Sequence, residues 1–167
     1  ANEAKAAAFL AAHVPPGSPA VTFDITSPRE HRRWPQRNFS ALADRLKREL
    51  GASVIFLSGP GETEYVKAAM GAASEKHLFC PDFDLLDLAA LQKRAALHAG
   101  TSSAPMHLAV SQGTPTFTVY APQNSPASWT PPGPRHDWAQ GALASLPFET
   151  VRDRFLAHIE KIKGLPA

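Results

Sequence analysis

The segment Ser53-Val54-Ile55-Phe56-Leu57, running into Ser58-Gly59-Pro60-Gly61-Glu62, decides the fold class. A short, nearly continuous apolar run is the mark of a strand covered on both faces, as in a parallel sheet. Gly59-Pro60-Gly61 breaks the run, and Glu62 to Ala73 reads as a helix. Strand, tight turn and helix in immediate succession form the repeating unit of an α/β protein.

The same unit recurs on either side. Upstream, Ala20 to Ile25 reads as a strand. Asn38 to Leu50 reads as a helix whose Phe39, Leu42, Leu46 and Leu50 share one face, with Gly51 as its stop. Downstream, His77 to Cys80 is a weaker strand and Leu85 to Arg94 a helix. Ala95 to Ala99 is a marginal strand, Ser103 to Gln112 a helix, and Thr116 to Tyr120 a strong strand. Pro122 to Gly133 is rich in proline and polar residues and reads as a loop. Phe148 to Lys163 is a final amphipathic helix with Val151, Phe155, Ile159 and Ile162 on its apolar stripe. This alternation predicts a Rossmann-like parallel sheet with helices on both faces, one domain spanning residues 1–167. A 3-2-1-4-5 strand order suits such a sheet, although strand order leaves no mark in a sequence.

Composition narrows the function. Apolar residues make up 44% of the chain and charged residues 19%, as in a globular protein. Seventeen basic residues against fifteen acidic ones give no electrostatic case for nucleic acid. No run of eighteen apolar residues exists to span a membrane. Ala1 to Val14 reads as a short Ala-rich helix without the basic start of a signal peptide. The chain begins with Ala rather than Met, as a piece of a longer protein would. Cys80 has no cysteine partner, the seven histidines lack zinc-ligand spacing, and no Gly-x-Ser-x-Gly elbow occurs. No metal or cofactor is therefore expected.

In open α/β sheets, ligands bind beyond the carboxyl ends of the strands. The unusual residues fall in the loops that follow strands. Arg29, His31, Arg32, Arg33 and Arg37 crowd around Trp34-Pro35. Guanidinium groups there offer paired donors to phosphate oxygens, or they form a solvated face. Ser58-Gly59-Pro60-Gly61-Glu62 is a glycine-rich turn whose Glu62 could accept from ribose hydroxyls, or simply favour a helix dipole. It is not a phosphate-binding Walker loop, because no Gly-Lys-Ser/Thr follows. Ser102-Ser103-Ala104-Pro105-Met106-His107 opens a helix whose first amides make an anion site. Ser102 or Ser103 could cap that helix. His107 is either a packed core residue or a functional one, and Met106 lines core or pocket.

Taken in order, these segments resemble the C-terminal domain of glycosyltransferase family nine, the ADP-heptose:lipopolysaccharide heptosyltransferases. The family typically carries Lys-x-Trp-Pro, a Gly-Gly-Pro-x-Glu-like turn, an acidic-Leu-x-Leu helix, then Asp-Ser-Gly-Pro-x-His-x-Ala leading into Gly-Thr-Pro. This chain has Arg32-Arg33-Trp34-Pro35, Ser58-Gly59-Pro60-Gly61-Glu62 and Asp84-Leu85-Leu86-Asp87-Leu88. Ser102-Ser103-Ala104-Pro105-Met106-His107-Leu108-Ala109 and Gly113-Thr114-Pro115 follow, and Trp129-x-Pro131 resembles a further family feature. The match runs from about Ala20 to Pro132, and the His-Leu-Ala … Gly-Thr-Pro run is its most specific part.

The resemblance implies the C-terminal half of a two-domain GT-B enzyme. Its donor would be an ADP-sugar such as ADP-heptose. Its acceptor, the lipopolysaccharide core, would be held by an N-terminal domain that this chain lacks and that supplies the catalytic base. It also implies transfer without a required metal, a cytoplasmic place at the inner face of a Gram-negative inner membrane, and at most peripheral membrane association. By position, Arg32, with Arg33 beside it, would contact the diphosphate. Ser58 and Glu62 would lie at the nucleoside, and Ser102, Ser103, Ala104, Met106 and His107 at the diphosphate and sugar. Ser102 stands where aspartate is usual, Ala104 where glycine is, and Arg32 where lysine is. These departures leave open a catalytically inactive nucleotide-sugar-binding scaffold, or another GT-B-type enzyme such as a UDP-sugar epimerase.

Overall fold

The structure, a computed structural model, describes residues 1–80 and 82–163. Six parallel strands form one sheet: β1 (Ala20–Asp24), β2 (Ser53–Phe56), β3 (Leu78–Phe79), β4 (Leu97–Thr101), β5 (Thr116–Tyr120) and β6 (His136–Gln140). Their order is β3-β2-β1-β4-β5-β6, the expected 3-2-1-4-5 arrangement with one strand added at the edge. Chain direction across the sheet reverses between β1 and β4, so the crevice at their carboxyl ends is the topological switch point.

Alternate residues of β1 face opposite layers. Val21 and Phe23 enter a core with Phe39, Leu42 and Leu46 of α2 (Gln36–Leu50), Val66 of α3 (Thr63–Ala72), and Val151 and Phe155 of α7 (Phe148–Lys163). The other layer holds α1 (Asn2–His13), α4 (Leu85–Arg94) and α5 (Ala104–Ser111). There Ala6, Ala20, Ile55, Leu57, Cys80, Ala90 and Leu91 cluster. That second layer also buries polar groups, which must be hydrogen-bonded to be tolerated. Thr22 Oγ1 donates to Gln92 Oε1 at 2.8 Å, and both Thr22 and Gln92 lie 3.0 Å from His98 Nδ1.

Three features differ from the sequence-based expectation. β4 begins two residues later than predicted, because the Ala95 amide is still bonded to Gln92 of α4. Its His98, Gly100 and Thr101 conceal it from an apolar-run reading. β6 was not anticipated: His136-Asp137-Trp138-Ala139-Gln140 is an edge strand, mostly only partly buried, and lacks the apolar run of a central one. Inside the expected loop, Pro126–Trp129 makes one helical turn, α6. Among the described residues no helix is long and apolar enough to cross a membrane.

Candidate functional site

The switch-point crevice is a cavity of about 470 Å³ built mainly from three strand-end loops, with Cys80, Phe83, Leu85 and Leu88 lining it from the β3 and α4 side. The first loop leaves β1 and is pinned by Trp34. This side chain is fully buried, stacks on Phe148 and meets Phe39 edge-on. Its Nε1 donates to the Leu146 carbonyl at 3.0 Å. A large aromatic anchored by ring contacts and a hydrogen bond fixes the loop it sits on. The Glu30–Arg32 turn is thereby held over the crevice, and Arg29 and Arg32 line it. Arg32 Nε is buried and has no hydrogen-bond partner among the described residues. A buried donor left without an acceptor is costly, and Arg32 carries one in a side chain that lines the cavity. Arg33 turns the other way. Its Nε donates to the Ser27 carbonyl at 2.6 Å, and its guanidinium lies 4.7 Å from the Tyr65 ring centroid.

The second loop follows β2. Ser58, Gly59, Pro60 and Glu62 line the cavity. A β-carbon on Gly59 would stand 2.8 Å from Glu62 Oε2, so glycine leaves the carboxylate room to fold back over the turn. The third loop joins β4 to α5 and brings Ser102, Ser103 and Ala104 to the same cavity. Ser103 stands at the N-cap position of α5, but its hydroxyl does not cap the helix. It donates instead to Asp24 Oδ2. The first amides of α5 therefore have no side-chain cap from Ser103, the arrangement that suits an anion.

Asp24 was missed from sequence, where it counted only as a strand residue. It is 3% exposed, lines the cavity floor, and receives the Thr26 amide (3.1 Å) and hydroxyl (2.8 Å) on Oδ1. Burial holds its carboxyl above the usual range, against the hydrogen bonds from Ser103 and Thr26, while the Glu62 charge adds to the upward shift. A carboxylate closing an apolar strand was the available signal. Cys80 also lines the cavity, with its thiol pushed up to about 12 by burial, which removes it as a thiolate nucleophile.

Six of the nine residues expected at the site, Arg32, Ser58, Glu62, Ser102, Ser103 and Ala104, thus meet in one cavity. Three do not line it. Arg33 braces the loop, and Met106 is buried in the core. His107 is exposed, with its ring edge-on to Trp129 at 5.6 Å.

The sequence model of the family described as glycosyltransferase family 9 (heptosyltransferase) matches residues 1–147. No curated protein matches the chain. Among solved structures, the family 9 glycosyltransferase of Veillonella parvula is 24% identical over 99% of this chain and 44% of its own, with a TM-score of 0.74. ADP-heptose lps heptosyltransferase II of E. coli is 17% identical over 97% of this chain and 53% of its own, with a TM-score of 0.80. E. coli heptosyltransferase WaaC with ADP is 20% identical over 92% and 48%, with a TM-score of 0.74. At these identities the likeness is one of fold. The chain spans about half the length of the structures it matches.

Proposed function

We propose, from the premise that this chain belongs to glycosyltransferase family 9, that residues 1–167 form the nucleotide-sugar-binding domain of a two-domain glycosyltransferase. The donor would be an ADP-sugar of the ADP-heptose class, and the acceptor the lipopolysaccharide core. The observation that carries this reading is the convergence of Arg32, Glu62 and the uncapped start of α5, from three separate loops, on one cavity at the switch point. The E. coli relative WaaC was solved with ADP and with ADP-2-deoxy-2-fluoro heptose, which gives the ligand class its chemical precedent.

In such a transfer, the bond from the sugar's anomeric carbon to the diphosphate oxygen breaks as a bond to an acceptor oxygen forms. The departing nucleoside diphosphate gains negative charge in that step. Arg32 and Arg29 would neutralise it through charge-assisted hydrogen bonds, and the α5 amides would add a fixed partial positive charge. Ser58 and Glu62 would take ribose hydroxyls. Arginine, rather than a metal ion, would supply the positive charge. The base that removes the acceptor's proton would come from a partner domain upstream, roughly 150 to 200 residues in size. We place the enzyme in the cytoplasm, at the inner membrane face where that acceptor is assembled.

Calorimetry with ADP, UDP and EDTA tests this reading. ADP binding that survives EDTA, exceeds UDP binding and weakens at least tenfold in Arg32→Ala supports it. Equal ADP affinity in the wild-type chain and Arg32→Ala overturns it.

A further inference from the structure

The cavity floor holds a carboxyl group that diphosphate binding does not use. Asp24 ends β1 at the switch point, 3% exposed, and its oxygens take three hydrogen bonds, two from Thr26 and one from Ser103. An ionised carboxylate has about four acceptor positions, so one is left. Among the described residues no lysine, arginine or histidine pairs with it. Burying a carboxyl with no cationic partner is unfavourable for the fold. It is also unfavourable for a phosphate in the same cavity, which it would repel. A buried carboxylate with a spare lone pair, beside a cluster of hydroxyl-bearing side chains, suits a neutral ligand group that donates hydrogen bonds. Sugar hydroxyls are such groups.

We propose that Asp24 is the sugar-recognising residue of this site: its free lone pair accepts a hydrogen bond from a hydroxyl of the donor's sugar ring. The cavity thereby favours a nucleoside-diphosphate sugar over the bare nucleoside diphosphate. The inference rests on the donor-binding function proposed above. Arg32 and the α5 amides hold the diphosphate, and Asp24 reads what is attached to it. Asp24→Asn is the direct variant, because the amide oxygen can still accept from Thr26 while the charge is lost. Asp24→Ser is a smaller alternative should the amide not be tolerated, and circular dichroism verifies folding of each.

The measurement is the ratio of ADP to ADP-heptose dissociation constants, by calorimetry, in the wild-type chain and both variants. The expected result is that ADP-heptose affinity falls about tenfold in the variants while ADP affinity is unchanged or rises. Loss of both ligands in parallel, or of neither, overturns the assignment of Asp24. Failure of the wild-type chain to bind either ligand overturns the donor-site function itself, an outcome distinct from the first two.

Discussion

The backbone carbonyl oxygen of Asp24 fills the space in which a β-carbon on Gly100 would stand, the two being 2.0 Å apart. The residues are in register across the β1–β4 pair, and Gly100 has φ +156°. Contact between these strands at the switch point therefore depends on a missing side chain. Gly100→Ala must either part the strands or shift the Asp24 peptide, and it also strains its own backbone. We expect a loss of about 2–4 kcal/mol, a fall of roughly 5–15 °C in the thermal midpoint for a chain of this size. An unchanged midpoint in a circular dichroism melt would contradict the close approach.

Neighbouring arginines should behave differently when removed. Arg32 lines the cavity with an unpartnered Nε, whereas Arg33 is engaged by the Ser27 carbonyl and the Tyr65 ring. Arg32→Ala should cost ADP affinity at least tenfold, in line with about 1.5–3 kcal/mol for a charged hydrogen bond, and leave the melting curve in place. Arg33→Ala should lower the thermal midpoint, with a change in ADP affinity of only a few fold. Calorimetry and melting curves on the same two proteins separate the roles, and a reversed pattern would exchange them.

His107 offers a sharper contrast. It lies four residues beyond Ser103, about 6 Å further along the helix axis by helical rise, and faces Trp129 instead of the cavity. His107→Ala should therefore leave ADP affinity within about twofold, well under the ~1.4 kcal/mol of a tenfold change. A tenfold loss would mean that the ligand reaches past the α5 start.

How far the sequence disclosed these features follows from which physical signal each one leaves. Apolar runs and helical spacing locate β1, β2, β5 and every long helix, because burial on two faces or one stripe imprints a period. The true start of β4 and the whole of β6 leave no such mark, because neither signals by apolarity. His98 is inside the protein with its Nδ1 held by Gln92, six residues earlier, and by Thr22, which is distant in sequence. The three loops were legible as unusual residues after strands. Which side chains in them share a cavity was not. Arg32 and Arg33 are adjacent and chemically identical, and only the carbonyl of Ser27 and the ring of Tyr65 distinguish them. Likewise, Ser103 has the residue type of a helix cap, but Asp24 draws its hydroxyl away.

Acid should weaken the fold before it reaches the carboxylate range. His98 is completely buried, and burial brings it down to about 3 from the ordinary value. Burial likewise lowers His136 and His158. A base whose folded pKa lies below its unfolded value of about 6.5 stays neutral when folded but binds a proton when unfolded as pH falls between the two. Between pH 6.5 and 3 the unfolded chain thus holds more protons, so stability is full above pH 6.5 and declines with acidification. For His98 alone, the loss at pH 5 is about 2 kcal/mol, set by the 1.5-unit distance below the unfolded value. Asp44 and Asp137, where the upward push of burial is outweighed by hydrogen bonds and a charged partner together, and Asp87, lowered chiefly by its Lys5 hydrogen bond, contribute with the same sign but only near and below pH 4. Asp24, raised by burial, opposes them. Urea unfolding at pH 7, 6 and 5 should show a falling midpoint, and His98→Gln should flatten that slope whatever its effect at pH 7. A pH slope that is the same in the wild-type chain and in His98→Gln would mean that His98 is not held neutral in the core.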